Sequence, residues 1–310
     1  MGFEYKPIKF TETRRIKSPK HQISRNIVVD YGLNKGVYFL ERILGIKHDN
    51  LDIYESTYQT PIKTEHPENN IGRVRYYKAF DKSAVIVLPQ RNSGFDMPER
   101  SSGYNIAQLV ASYLAAHGIS AYEIETPLNG SRRAKVPINI DLNKLKTIFN
   151  QAVTETRALT DLIQEEKIGI FGVSLGAAYS SIIFGVDGRI TSACLALGGG
   201  NFANMVFESN ERFIQYLRAH IAKDGISREE LREKLEEIEP CSHTNPDKKE
   251  NLIMINAVND KSVPVKYGNL LRQAWGNPKQ YLLNTGHLTA IREIPKLLPI
   301  ILEHFKRTLI

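Results

Sequence analysis

Three side chains far apart in the sequence can combine into nucleophilic chemistry. They are Ser174 in Gly172-Val173-Ser174-Leu175-Gly176, Asp260 in Asn259-Asp260-Lys261-Ser262-Val263-Pro264, and His287 in Asn284-Thr285-Gly286-His287. Serine is a poor nucleophile at neutral pH and needs an adjacent base, normally an imidazole oriented by a carboxylate. Ahead of the serine, Lys167 to Val173 is apolar and strand-favouring. Behind it, small residues lead into Ile182, Ile183 and Phe184, which suits a buried helix. A serine between two glycines where a strand turns into a helix is the nucleophile-elbow arrangement. The tight turn strains the serine backbone, and a Cβ at either flanking position would collide with the neighbouring strand or helix, which favours glycine. The serine oxygen is then pushed clear of the sheet, and the N–H of Leu175, at a helix N-terminus, can face a developing oxyanion.

The base is chosen among eight histidines. His117 ends a helix before glycine, His304 sits within the last helix, and His21, His48, His66, His220 and His243 lie in an arm, in loops or in an insert. His287 follows a short strand, in a loop expected to emerge beside the elbow. Asp260 follows the apolar run NLIMINAV, so it hangs at the strand's C-terminal end. Asp247 and Glu250 precede the same strand, at its opposite end, and Glu293 and Glu303 lie on the last helix.

The elements that must position these residues alternate. Leu51 to Ile62 and Gly72 to Phe80 predict an antiparallel hairpin around the turn KTEHPENN. Strands follow at Ser83–Leu88, Ile119–Ile124, Lys167–Val173, Ile190–Leu197, Asn251–Val258 and Gln280–Leu283. Helices are predicted over Asn105–His117, Asp141–Glu166, the elbow helix, Val265–Trp275 and Leu288–Thr308, and an N-terminal helix over Asp30–Gly45. This alternation predicts parallel βαβ units in a three-layer α/β sandwich. Residues 202–240 interrupt it with nine Asp/Glu and six Lys/Arg. Ser227 to Glu230 there reads as a capping box. An insert after a strand at the C-terminal edge lies above the place where ligands bind in such folds, so it is a candidate lid; a surface hairpin is the plainer alternative. The run Gly198–Gly200 lacks P-loop and dinucleotide spacing and reads as close backbone packing.

A chain of 310 residues with 42% apolar content suits a globular protein. No apolar run reaches membrane-span length, and MGFEYKPIKF lacks the apolar stretch of a secretory signal. With two distant cysteines, Cys194 and Cys241, a disulfide framework is not expected and a cytoplasmic location is the default. Most of the net charge of +7 sits in residues 1–25, where seven Lys/Arg face two Glu, a net of +5. This reads as a solvated basic arm rather than a nucleic-acid surface, and nucleic acid is not an expected partner.

The order Ser174, Asp260, His287, with the GVSLG elbow, the NDKSVP acid turn and the GH before the last helix, resembles the α/β-hydrolase superfamily over roughly residues 51–310. Charge and periodicity set apart a basic arm and helix at 1–50; the resemblance implies a hydrolase core at 51–201 and 241–310, with 202–240 at the usual cap position. Many members of that superfamily carry His-Gly after the strand supplying the second oxyanion N–H; here the strand ends Leu88-Pro89-Gln90-Arg91. Pro89 has no N–H. By position, the N–H of Arg91 or Gln90 joins that of Leu175, and the Arg91 guanidinium either anchors an anionic group or is solvated. The implied activity is hydrolysis of a small carboxylic ester through an acyl-enzyme, with no metal or organic cofactor required. Thioesters, amides and peptides use the same machinery. A non-catalytic binding protein of the same fold and a basic-arm surface binder are the competing classes, and oligomeric state is undetermined.

Overall fold

The structure, a computed structural model, describes residues 3–16, 51–95, 106–135 and 141–310. The helix expected over Asp30–Gly45 lies outside the described residues.

Alternation of strand and helix patterns produces one sheet. Its strands are β1 (Phe10–Ile16), β2 (Asp52–Gln59), β3 (Ile71–Lys78), β4 (Ser83–Leu88), β5 (Ser120–Glu125), β6 (Lys167–Val173), β7 (Ile190–Ala196), β8 (Leu252–Ala257) and β9 (Lys279–Leu283). They lie in the order β1-β2-β3-β5-β4-β6-β7-β8-β9. β1, β2, β3 and β5 pair antiparallel, and β5, β4, β6, β7, β8 and β9 pair parallel. The central strands are apolar throughout because both faces are covered: β4 and β8 are buried at every residue.

One face packs on α1 (Ile106–Ala116) and the C-terminal α8 (Ile294–Leu309), through Leu109, Val110, Leu114, Leu298, Ile301 and Phe305. The other face packs on α2 (Leu142–Thr160), the elbow helix α3 (Leu175–Val186) and α7 (Val265–Ala274), through residues such as Phe149, Val153, Ile182, Phe184 and Leu271. The insert folds as α4 (Phe202–Glu208), α5 (Arg212–Lys223) and α6 (Arg228–Leu235). Its Val206, Leu217, Ile221, Leu231 and Leu235 join the α2–α3 core. The capping box closes as expected: Glu230 N–H donates to Ser227 Oγ at 3.2 Å, and Ser227 N–H to Glu230 Oε2 at 2.9 Å.

Three elements differ from expectation. Residues 10–16 of the basic arm form edge strand β1, antiparallel to β2. Arg14 pairs with Glu55 and Arg15 with Asp52, so the arm's charge is partly met by β2. β1 buries neither face, so it lacks the alternation that marks a strand, and its arginines suit an edge that must not pair further. α2 stops at Thr160 rather than Glu166, because the chain turns at Asp161 to re-enter the sheet, where Glu166 N–H donates to Lys82 O at 2.9 Å. The last helix starts at Ile294 after a 3₁₀ turn over Thr289–Glu293, with Pro295 in its first turn, where a missing N–H costs nothing.

Candidate active site

Three βα and loop junctions at one edge of the parallel sheet bring Ser174, Asp260 and His287 together. Ser174 links β6 to α3 with φ 55° and ψ −116°, a strained conformation for a residue with a side chain. Its N–H donates to Ala196 O at 2.8 Å, which fixes the turn against β7. The flanking glycines are sterically required. A Cβ on Gly172 would overlap the Gly176 carbonyl and Ser180 Oγ, and one on Gly176 would overlap Leu88 O and lie 2.6 Å from Pro89 O. The second crowding also shows that the end of β4, which leads into Gln90 and Arg91, runs beside the elbow.

Ser174 Oγ lies 2.9 Å from His287 Nε2, and His287 Nδ1 lies 2.6 Å from Asp260 Oδ2. The Asp260 side chain is 1% exposed and that of His287 14%. Asp260 Oδ1 accepts the N–H groups of Ser262 and Val263, each at 2.8 Å. The carboxylate is thus desolvated yet satisfied, with Oδ2 left for the imidazole. The His287 loop is pinned to the acid loop, since Asn259 N–H donates to Thr285 O at 3.0 Å and Asn259 Nδ2 to Asn284 Oδ1 at 3.2 Å. Sequence reasoning did not identify the two amides that hold Asp260. An aspartate two residues before a serine is the Asx-turn pattern that could have revealed them.

Leu175 opens α3, so its N–H has no partner within the helix. The Arg91 side chain is about one-third exposed. It pairs with Glu211 at 2.6 Å, at the start of α5, and lies over the Phe213 ring at 5.2 Å. The insert also reaches the acid loop, with Ser209 Oγ donating to Ser262 O at 2.7 Å and Asn210 N–H to Lys261 O at 3.1 Å. The link from α4 to α5, Ser209 to Glu211, therefore touches both the loop after β4 and the acid loop. Sequence reasoning missed Glu211, because one acidic residue in a charged helix carries no signal of its distant partner. Gly198–Gly200 serves packing as expected: Asn256 Nδ2 donates to Gly198 O at 2.9 Å, and a Cβ on Gly199 would stand 2.9 Å from Val263 Cγ1. Both cysteines are free, and burial raises the Cys241 thiol to about 12. Among the described residues no helix is long and apolar enough to cross a membrane.

No protein-family model matches the chain. The uncharacterized protein YdjC of Bacillus subtilis (strain 168) is 27% identical over 73 residues, which are 24% of this chain and 63% of that protein. The chain thus spans less than two thirds of that relative. Among solved structures, the acetyl xylan esterase from Paenibacillus sp. R4 superposes with a TM-score of 0.64 at 11% identity, covering 94% of this chain and 98% of that one. Pyrococcus horikoshii acylaminoacyl peptidase superposes with a TM-score of 0.62 at 13% identity, covering 87% of this chain but 43% of its own length. The Pyrococcus furiosus esterase Pf2001 gives 0.57 at 12% identity, covering 87% and 96%. The mostly parallel sheet flanked by helices on both faces, with the likeness to these structures, gives the chain the α/β-hydrolase fold.

Proposed function

We propose that the protein is a serine hydrolase that cleaves a small carboxylic ester through a Ser174–His287–Asp260 triad. The observation that carries this reading is the unbroken chain of contacts from Ser174 Oγ through both ring nitrogens of His287 to Asp260, at 2.9 and 2.6 Å. Asp260 accepts Nδ1–H, which leaves the Nε2 lone pair toward the hydroxyl. His287 then takes the Ser174 proton as Oγ attacks the ester carbonyl. The carbonyl π pair moves to oxygen, and the N–H groups of Leu175 and of Arg91 or Gln90 stabilise that oxyanion. On collapse His287 returns the proton to the leaving alcohol. Water, deprotonated by the same imidazole, hydrolyses the acyl-serine and regenerates the enzyme.

The backbone strain at Ser174 supports the reading, because strained non-glycine conformations persist where the surroundings over-determine them. Residues 202–240 act as a cap in this scheme, a reading supported by the Arg91–Glu211 pair and by the bond from Ser209 Oγ to Ser262 O in the Asp260 loop. Structural neighbours described as esterases and as peptidases leave the leaving group open. The test is a panel of p-nitrophenyl esters of increasing acyl length, with matched thioester and anilide, assayed on wild type and His287→Ala. Ester turnover that collapses in the variant supports the proposal. Faster cleavage of the anilide or thioester redirects it to a peptidase or thioesterase, and absence of turnover in wild type contradicts it.

A further inference from the structure

Residues 89–95 connect β4 to the rest of the chain and carry the proposed second oxyanion donor, yet they form neither helix nor strand. Such a loop must be held from outside if an N–H is to stand ready for charge that develops only in the transition state. The holding groups come from the segment after β5. Asn92, at φ 60°, donates its N–H to Asn129 Oδ1 at 2.7 Å. Phe95 donates its N–H to Glu125 Oε1 at 3.1 Å. Between these two bonds, Gly94 packs so closely on Gly130 that a Cβ on either would overlap the other loop.

Both acceptors are themselves fixed. Asn129 is 5% exposed and its Nδ2 donates to Thr126 Oγ1 and Pro127 O, each at 3.0 Å, so the amide can turn only its oxygen toward Asn92. Glu125 is fully buried at the end of β5; Oε1 also accepts Ser131 N–H at 3.1 Å, and Oε2 accepts from Ser131 Oγ. Arg132, buried and bidentate to Glu155 at 2.7 and 2.8 Å, donates to Glu125 O at 2.9 Å and so ties the bracing segment to α2.

We infer that Asn129 and Glu125 are positioning residues for the oxyanion side of the site: they set the backbone of residues 89–95 so that the Gln90 or Arg91 N–H faces the Ser174 adduct. The inference rests on the serine-hydrolase reading. They touch no substrate and act through the loop. Removing the Asn129 acceptor frees the Asn92 N–H, and the loop loses its fixed direction without loss of Ser174, His287 or Asp260.

The experiment compares wild type with Asn129→Ala and with the smaller change Asn129→Ser, whose hydroxyl is too short to replace Oδ1. Rates on p-nitrophenyl acetate are normalised to serines titrated by a fluorophosphonate, so any unfolded fraction drops out. Inhibition by an alkyl trifluoromethyl ketone, whose serine adduct is an oxyanion, is measured beside them. The expected result is a fall of about tenfold or more in kcat per titrated site, KM within about twofold, and a rise in the inhibition constant matching the fall in kcat/KM. A purely structural role lowers the number of titratable sites and leaves kcat per site and the inhibition constant unchanged, which overturns the inference while the hydrolase reading stands. A wild type inert to ester and fluorophosphonate alike removes that reading, and the inference with it.

Discussion

Asp260 Oδ2 stands 2.6 Å from His287 Nδ1, while the other carboxylate oxygen is saturated by the N–H groups of Ser262 and Val263. The asymmetry decides what an amide would do there. In Asp260→Asn the side-chain oxygen would stay with the two backbone donors, which need an acceptor, and the NH₂ would face His287. Nδ1 would then have to accept, and the ring proton would move to Nε2, pointing at Ser174 Oγ. The variant is expected to fold, and kcat is expected to fall by about 10³–10⁴ from the wrong tautomer. Steady-state rates with a melting curve check it; a fall of less than about tenfold would show that the carboxylate does not orient the base.

The glycines around Ser174 make a second, contrasting prediction. Gly176→Ala places a methyl against Leu88 O and Pro89 O, whereas a methyl at Gly188 would meet no atom within 4 Å. Overpacking of this kind typically costs about 1–3 kcal/mol, while a surface change stays within about 0.5 kcal/mol. Gly176→Ala should therefore lower the urea midpoint and kcat together, and Gly188→Ala should change neither. Equal behaviour of the two would mean that the elbow is not as crowded as its geometry requires.

The α/β alternation, the elbow and the acid turn were legible because each is a local pattern: an apolar run, then a break, then a chemically distinctive residue. Strand β1 was not, because FTETRRI exposes both faces and its stability comes from pairing with β2 and from Glu55 and Asp52. The two amides on Asp260 were within reach of turn chemistry. The bracing of residues 89–95 by Glu125 and Asn129, and the Arg91–Glu211 pair, were out of reach because their partners lie 30, 37 and 120 residues apart. No periodicity joins residues that meet only after the sheet has formed.

The Arg91–Glu211 pair is about one-third exposed on each side, with side-chain exposures of 34% and 37%. Pairs of this kind contribute about 0–1 kcal/mol. Glu211→Gln should leave the melting temperature nearly unchanged but loosen the start of α5 from the loop after β4. Limited proteolysis should then cut residues 202–240 faster, and the difference from wild type should shrink at high salt, where the native pair is screened. An unchanged cleavage rate at low salt would show that the insert is held by its apolar contacts alone.

His304 gives a pH prediction for stability. Burial, with Arg307 and then Lys279 nearby, lowers it to about 4, and its Nε2 lies 3.1 Å from Ser192 Oγ. In the unfolded chain it titrates near 6.5. Between those values the unfolded state holds a proton that the folded state does not, so stability falls as pH drops from about 6.5 to about 4, by at most about 1.4 kcal/mol per pH unit. His304→Gln, which retains a hydrogen-bonding group for Ser192, should flatten that stretch of the curve. Urea midpoints at pH 7, 6 and 5 that fall in parallel for both proteins would contradict the assignment.

The most direct measurement is fluorophosphonate labelling followed by intact-mass and peptide analysis. One phosphonyl group per chain is predicted, on Ser174, with labelling abolished in Ser174→Ala and slowed by about 10³-fold or more in His287→Ala. A wild-type protein that stays unmodified, or a label that persists in Ser174→Ala, would contradict the account.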